Sequence, residues 1–301
     1  MILRTLFGHD RLDRAAQAVQ DRIDPQTWQA VLNDLPFLQT LNADELGQLQ
    51  ARAAWLLARK TFNGAAGLHL TDRMRLAIAA QAVLPVLHLD PTLYDGWDEI
   101  IVYPSGFTVE RSHQDDSGVV HEYEDELTGE AWEGGPLILS WADSQDTSRA
   151  YNVVIHEFAH KLDLRWGDAD GMPELSAHRD IDPRQWRRVL EESLTDFCDA
   201  LDALEAAIPP DVDPESLEAG AWYDQLPLDP YAATDEAEFF AVSSEHFFTD
   251  PAPLAAALPA WYGLLAAYYR QDPMARLATA DTPSGVRPQP PSRRFRPSTE
   301  D

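Results

Sequence analysis

Two histidines stand four residues apart in the stretch VVIHEFAHKLDL, which covers residues 153–164, and a glutamate follows the first of them. The stretch contains no proline or glycine, and its apolar residues recur at helical spacing, so the sequence predicts a helix. On a helix, residues four positions apart lie on the same face. We therefore expect His156 and His160 to point in the same direction, with Glu157 beside them.

This HExxH spacing is typical of zinc peptidases for a mechanical reason. Two imidazoles one turn apart can both reach a zinc ion at about 2.0–2.1 Å, and the intervening glutamate can hold the water of the metal. A chain with 9 histidines can also contain the motif by chance. The flanking residues argue against chance, because a charged trio among apolar neighbours needs a compensating ion. These neighbours are Val153, Val154, Ile155, Phe158, Ala159 and Leu162.

A catalytic zinc needs a third protein ligand and one position open for water. The candidates are Asp163 on the same helix and three glutamates on a later predicted helix, Glu236, Glu238 and Glu245. A second helix can complete the coordination from the far side, whereas Asp163 lies along the same ridge and suits an outer-shell acceptor for an imidazole. Spacing therefore favours the later helix. Glu238 and Glu245 lie two turns apart on one face, so periodicity does not choose between them.

The elements before the motif change from helices to strands. Helices are predicted to begin at Asp24-Pro25, at Asn42 for the segment NADELGQLQARAAWLLARKTF, and at Thr71. From about residue 98 apolar residues alternate, and we expect short strands in EIIVYPSGFTVE, VVHEYEDEL and GGPLILSW. These strands build a small sheet ahead of the HExxH helix.

Three further helices are predicted after the motif, at about residues 183–207, in DEAEFFAVSSEHFF, and at about residues 252–270. The end of the chain is rich in proline and arginine and almost free of apolar residues, which is typical of a disordered tail. We expect an α+β fold with a helical N-terminal region at 1–85 packed on the core, a catalytic domain at 86–278 and the tail at 279–301.

Composition excludes several classes of protein. The 301 residues are 45% hydrophobic, enough for a buried core, and the net charge of −28 repels phosphate backbones and anionic lipids. No apolar run approaches the ~18 residues of a membrane span, and the start lacks the apolar core of a signal peptide. The single cysteine, Cys198, excludes an intrachain disulfide. We expect a cytoplasmic globular protein that binds neither nucleic acid nor membranes.

The sequence resembles the Mlc titration factor A family of zinc-dependent peptidases. The resemblance is carried by LTDRMRLAIAAQAVLPVLHL, IIVYPSGF, GPLILSW, NVVIHEFAHKLD and YAATDEAEFFAVSSEHFF, spread over about residues 60–250. It implies a gluzincin-like enzyme whose zincin-like domain is similar to the catalytic domain of anthrax lethal factor. It also implies a peptide or protein substrate and, since the family is named for sequestering Mlc, a Mlc-like transcriptional repressor as partner.

The resemblance also assigns roles to residues. In this family the third ligand is a glutamate seven residues after a tyrosine that stabilises the oxyanion, and Tyr231 and Glu238 have this spacing. It therefore implies one zinc ion (Zn2+) per chain, bound by His156, His160 and Glu238. Glu157 would be the general base and Tyr231 the electrophilic helper.

Substrate binding is predicted from the strand just before the helix. Zincin-like sheets present an edge strand along the cleft, and an extended peptide can pair with that strand through backbone hydrogen bonds. We expect Leu137 to Ser140 to be this strand, with an ordinary buried strand as the alternative.

Other interpretations of the motif stay open. A zinc-stabilised, non-enzymatic protein could bind and sequester a regulatory protein. A structural metal site would need a fourth protein ligand, for which His178 and His246 are the nearby histidines, both expected on the surface. Glu245 is either an outer-shell residue or a solvated helix carboxylate.

Overall fold

Helices make up most of the N-terminal region. The computed structural model describes residues 14–114, 120–127, 129–132, 134–145, 151–213, 216 and 219–280. The first helices are α1 (residues 14–20), α2 (Pro25–Asp34), α3 (Ala43–Arg59) and α4 (Asp72–Val83), with 3-10 turns at Pro36–Thr40 and Pro91–Tyr94. Asp24, Asn42 and Thr71 accept backbone N–H groups at the starts of α2, α3 and α4, so the three predicted caps are confirmed.

In the part of the chain that the structure describes, six strands form two sheets. They are β1 (Thr61–Gly64), β2 (Glu99–Tyr103), β3 (Phe107–Gln114), β4 (Val120–Leu127), β5 (Gly129–Ala131) and β6 (Leu137–Ser140). Strands β3 and β4 pair with each other as an antiparallel hairpin. The other four form a mixed sheet in the order β1-β2-β6-β5, in which β1, β2 and β6 are parallel and β5 is antiparallel. The helix that begins at Asn42 was predicted to continue to Phe62, but α3 ends at Arg59. Phe62 lies in β1, where it pairs with Ile100 of β2.

The expectation that Leu137 to Ser140 form the edge strand is wrong. Strand β6 lies between β2 and β5, with Ile138 opposite Ile101 on one side and Glu130 on the other. Its side chains are mostly buried, as the alternative of an ordinary interior strand predicts. Among the described strands, β5 is the edge strand beside β6, and its three residues Gly-Glu-Ala are too few to show a period in the sequence.

The C-terminal half is helical. Its helices are α5 (Trp141–Ser144), α6 (Val153–Asp163), α7 (Pro183–Glu205), α8 (Gly220–Tyr223), α9 (Glu236–Thr249), α10 (Pro251–Ala257), α11 (Pro259–Tyr269) and α12 (Pro273–Ala280), with a 3-10 turn at Pro230–Ala233. The single helix expected at 252–270 is two helices. Pro259 disfavours a helical conformation at Leu258, whose φ of −125° and ψ of 58° break the helix. Of the predicted tail, residues 281–301 lie outside the described residues.

The HExxH helix α6 lies at the centre of the molecule. It contacts β5 and β6 on the sheet side, α9 on the other side and α4 from the N-terminal region. All of its residues are buried, and one hydrophobic core runs from Val31 in α2 to Tyr269 in α11. The architecture is therefore α+β, a small mixed sheet and surrounding helices that together enclose α6. Within the described residues, we find no helix that combines the length and the apolar character of a membrane span.

Candidate metal centre

The two histidines of the motif share one face of α6, as their spacing predicts. Asn152 caps this helix, and its side chain accepts the backbone N–H of Ile155 at 2.9 Å. The cap fixes the first turn, from which His156 points towards α9. The ring of His160 follows one turn later, with its centroid 4.7 Å from that of His156. Their Nε2 atoms are 3.1 Å apart.

A glutamate from the first turn of α9 completes the cluster. Asp235 caps α9 and accepts the backbone N–H of Glu238 at 2.9 Å. The Oε2 atom of Glu238 lies 3.1 Å from Nε2 of His156 and 3.4 Å from Nε2 of His160. Among the described residues, these three side chains form the group whose ligand atoms all lie within 4.8 Å of one another.

This triangle of donor atoms fits one metal ion. Tetrahedral zinc with bonds of about 2.0–2.1 Å keeps its ligand atoms about 3.3 Å apart, close to the observed 3.1–3.4 Å. In addition, Oε2 of Glu238 is buried and has no hydrogen-bond partner of good geometry. A cation between the three atoms would compensate that oxygen. Two imidazoles and one carboxylate suit a borderline ion such as zinc.

Glu245 contacts the ring nitrogen of His156 that faces away from the cluster. Glu245 is only 3% exposed, and its Oε1 atom lies 2.7 Å from Nδ1 of His156. A carboxylate at this position accepts a hydrogen bond from the Nδ1–H group, which leaves the lone pair of Nε2 for a metal. The interpretation of Glu245 as a solvated carboxylate is therefore wrong. Burial lowers the pKa of His156, but the carboxylates of Glu238 and Glu245 outweigh burial, and its pKa lies well above the usual value.

Two residues that the sequence analysis missed extend this contact into the N-terminal region. The backbone N–H of Asn152 donates to Oε2 of Glu245, and its side-chain Nδ2 donates to Oε1 of Gln81 at 2.7 Å. Gln81 lies on α4, is 1% exposed and donates its own amide to Ala77 and Ser144 carbonyls. A glutamine inside the apolar run LAIAAQAVL was the sequence signal for this buried role.

Glu157 lies between the histidine pair and the edge strand. Its carboxylate packs so closely on Gly129 that a Cβ atom there would stand 2.4 Å from Oε1. Burial raises the pKa of Glu157, and the two histidines only partly oppose this effect. Oε2 is buried without a hydrogen-bond partner. A carboxylate whose pKa is raised by burial is a stronger proton acceptor than an exposed one.

Tyr231 lies on the open side of the cluster. It belongs to the 3-10 turn Pro230–Ala233, whose cap Asp229 accepts the Tyr231 backbone N–H at 2.9 Å. The residue is 52% exposed, and its ring centroid is 6.2 Å from that of His156. An exposed phenol beside buried imidazoles can meet a ligand that enters from solvent.

The remaining candidates lie elsewhere. Asp163 accepts the backbone N–H of Gly171 at 2.8 Å and so anchors the loop after α6. His178 and His246 are buried, so their expected surface location is wrong. The ring of His178 packs 4.9 Å from that of Tyr268, and neither histidine belongs to the cluster found among the described residues. Glu236 is exposed on α9.

Two comparisons with known proteins find relatives of this chain by sequence. Residues 9–270 match the family described as glucose-regulated metallo-peptidase M90. A Mlc titration factor A from Yersinia pestis (strain Pestoides F) is 37% identical over 266 residues, which cover 87% of this chain and 91% of that protein. A Mlc titration factor A from Yersinia pseudotuberculosis serotype O:1b (strain IP 31758) matches with the same identity and coverage. The chain therefore belongs to the M90 family of metallopeptidases.

Proposed function

We propose that this chain is a zinc-dependent peptidase, with one zinc ion bound by His156, His160 and Glu238. The family is one of metallopeptidases and so implies a metal. The observation that carries the choice of ligands is the near-equilateral triangle of two Nε2 atoms and one carboxylate oxygen. Three protein ligands of this kind are the donor set of catalytic zinc, which keeps a further position open for water.

Glu157 is the general base of the proposed reaction. When bound, zinc supplies a water with a pKa of about 7 and polarises the substrate carbonyl. Glu157 accepts the proton of the attacking water while the water oxygen forms a bond to the carbonyl carbon. The carbon–nitrogen bond then breaks, and Glu157 passes the proton to the leaving amine. The raised pKa of Glu157 supports both halves of this transfer.

Tyr231 acts on the carbonyl oxygen. As the carbonyl carbon becomes tetrahedral, negative charge develops on that oxygen, and the phenol can donate a hydrogen bond to it. The exposure of the Tyr231 side chain and its 6.2 Å ring separation from His156 support this role.

Strand β5 aligns the substrate. The backbone N–H and C=O of Trp132 bond to Pro136 and Gly135, so the backbone of Trp132 faces β6. Because backbone direction alternates along an antiparallel strand, Gly129 and Ala131 present their N–H and C=O groups to the free edge. An extended peptide pairing there would bring a carbonyl to Glu157, which packs on Gly129.

The test is metal-dependent turnover. Purified protein with one equivalent of zinc is incubated with a peptide library, and cleavage is followed by mass spectrometry. We expect cleavage that a chelator abolishes and zinc restores, and none with Glu157→Gln. A zinc-saturated wild-type protein that cleaves no peptide overturns the proposal.

The name of these relatives favours a second function. They are titration factors for Mlc, and we propose that this chain likewise binds a Mlc-like transcriptional repressor in the cytoplasm. Binding should persist in Glu157→Gln, because this substitution leaves the protein surface almost unchanged. Calorimetry with a purified repressor of this class measures it, and a lack of any heat signal would exclude this function.

A further inference from the structure

Two buried lysines face one tryptophan ring that packs against helix α6. Lys60 is 7% exposed and Lys161 4% exposed, and their Nζ atoms lie 3.8 Å and 4.7 Å from the ring centroid of Trp97. Burial lowers the pKa of each lysine to about 8. A buried ammonium group is costly unless hydrogen bonds replace its water, so the acceptors of each lysine show what it holds in place.

Lys161 holds the turn between β5 and β6. Its Nζ donates to the carbonyl oxygens of Trp132 at 2.6 Å and Gly135 at 2.9 Å, and Pro136 O lies at 3.5 Å. These carbonyls belong to the segment that closes the β5–β6 hairpin. Lys161 thus fixes one end of the edge strand to α6.

The other end of the edge strand meets the same helix through Glu157. Gly129 packs against the carboxylate of Glu157, one turn before Lys161 on α6. Residues four positions apart lie on the same helix face, so one face of α6 holds both the base and the clamp on the strand. From Gly129 to Trp132 an extended strand covers about 10 Å, the length of three residues.

We propose that Lys161 is a positioning residue that holds the substrate-aligning strand β5 in place relative to Glu157. As a consequence of this positioning, the enzyme should prefer extended peptides that pair with β5 over several residues to short substrates that have no residues to pair with β5. This inference rests on the proposed peptidase function.

Lys60 provides a matched control. It faces the same indole and donates to backbone carbonyls, those of Tyr94 at 2.6 Å and Trp97. However, it directly precedes β1, which lies at the opposite edge of the sheet from β5. Lys60→Met therefore removes a comparable buried ammonium group without releasing the substrate edge.

The experiment compares Lys161→Met with Lys60→Met in the zinc-loaded full-length protein. Two substrates are used, an extended peptide and a single-residue anilide. We expect Lys161→Met to lower kcat/KM for the peptide about tenfold, mainly through KM, because a displaced strand loses backbone hydrogen bonds to the peptide in the ground state and the transition state alike. For the anilide, and for both substrates with Lys60→Met, we expect changes within about twofold.

Amide hydrogen exchange of segment 129–136 provides a readout independent of turnover. Exchange in this segment should be faster in Lys161→Met than in Lys60→Met, and intermediate in Lys161→Gln, which retains a shorter donor. Equal exchange in the two methionine variants, or an equal loss of kcat/KM on both substrates, would overturn the positioning role. A wild-type protein that cleaves neither substrate would instead contradict the peptidase function and leave the exchange test intact.

Discussion

The side-chain amide of Asn152 donates a 2.7 Å hydrogen bond to Oε1 of Gln81, and through this contact helix α4 supports the metal centre. Asn152 caps α6 and donates its backbone N–H to Glu245, which in turn holds Nδ1 of His156. The chain of contacts is buried throughout. It therefore limits the orientations that the His156 imidazole can adopt before any metal binds.

Gln81→Met should weaken zinc binding. Methionine has a similar length but leaves the Nδ2 donor of Asn152 without its acceptor, and loss of an outer-shell partner typically costs 10–100-fold in metal affinity. Asn152 and Glu245 stand between Gln81 and His156 in this series of contacts. We therefore expect zinc affinity to fall about tenfold, at the lower limit of that range. Competition with a chromophoric chelator measures the affinity.

Gln271→Met is the control for Gln81→Met. Gln271 is also buried, donates to the Leu84 carbonyl at 2.8 Å and contacts Arg276. The Gln271→Met substitution should lower thermal stability without changing zinc affinity. Wild-type affinity in Gln81→Met would show that the contact with Asn152 does not support the site.

Glu157→Gln should retain zinc and lose hydrolysis. The amide has the same shape but cannot accept the proton of water, and a positioned general base typically contributes 10²–10⁴-fold in rate. Metal content by plasma mass spectrometry and turnover of the best library peptide are measured on the same sample. A variant within about tenfold of wild-type turnover would assign the base elsewhere.

Glu238→Ala should lose the metal, as should His156→Ala. Each removes one corner of the triangle of donors, leaving too few protein ligands for tight zinc binding. Glu236→Ala is the matched control, because Glu236 lies in the same first turn of α9 but is exposed. If Glu238→Ala retained full zinc occupancy after dialysis, the third ligand would have to be another carboxylate.

Tyr231→Phe should lower kcat and leave the metal content unchanged. Removal of one hydrogen-bond donor to a developing oxyanion typically costs about 10²–10³ in rate, and we expect the lower limit for an exposed phenol. Tyr223→Phe is the control, since the Tyr223 hydroxyl contacts Glu205 at 3.4 Å on the surface. Equal turnover in wild type and Tyr231→Phe would remove the electrophilic role.

Gly129→Ala should reduce activity more than stability. Its Cβ would stand 2.4 Å from Oε1 of Glu157 and 2.7 Å from Cδ, so either the carboxylate or β5 must move. We expect a loss of about 10²-fold in kcat/KM, as for a base misplaced by 1 Å. Gly47→Ala, in the interior of α3 with open space around it, should stabilise the protein by about 0.5–1 kcal/mol and leave activity unchanged. Wild-type activity in Gly129→Ala would mean that β5 yields without affecting Glu157.

The sequence by itself determined what depends on neighbours along the chain. Helical geometry places His156 and His160 on one face whatever surrounds them, and the caps at Asp24, Asn42 and Thr71 act within one turn. The change of period near residue 98 likewise identified strands β2 and β6. The α+β class followed from these local patterns.

Only the tertiary structure decided which carboxylate meets which nitrogen and which strand is exposed. Glu238 and Glu245 share a face of α9, and the position of α9 across α6 brings the first to the Nε2 atoms and the second to Nδ1 of His156. Strand β6 became interior because Gly129–Ala131 pairs with it. Such contacts join residues far apart in the chain, and spacing along a sequence contains no information about the crossing of two helices or the pairing of two strands.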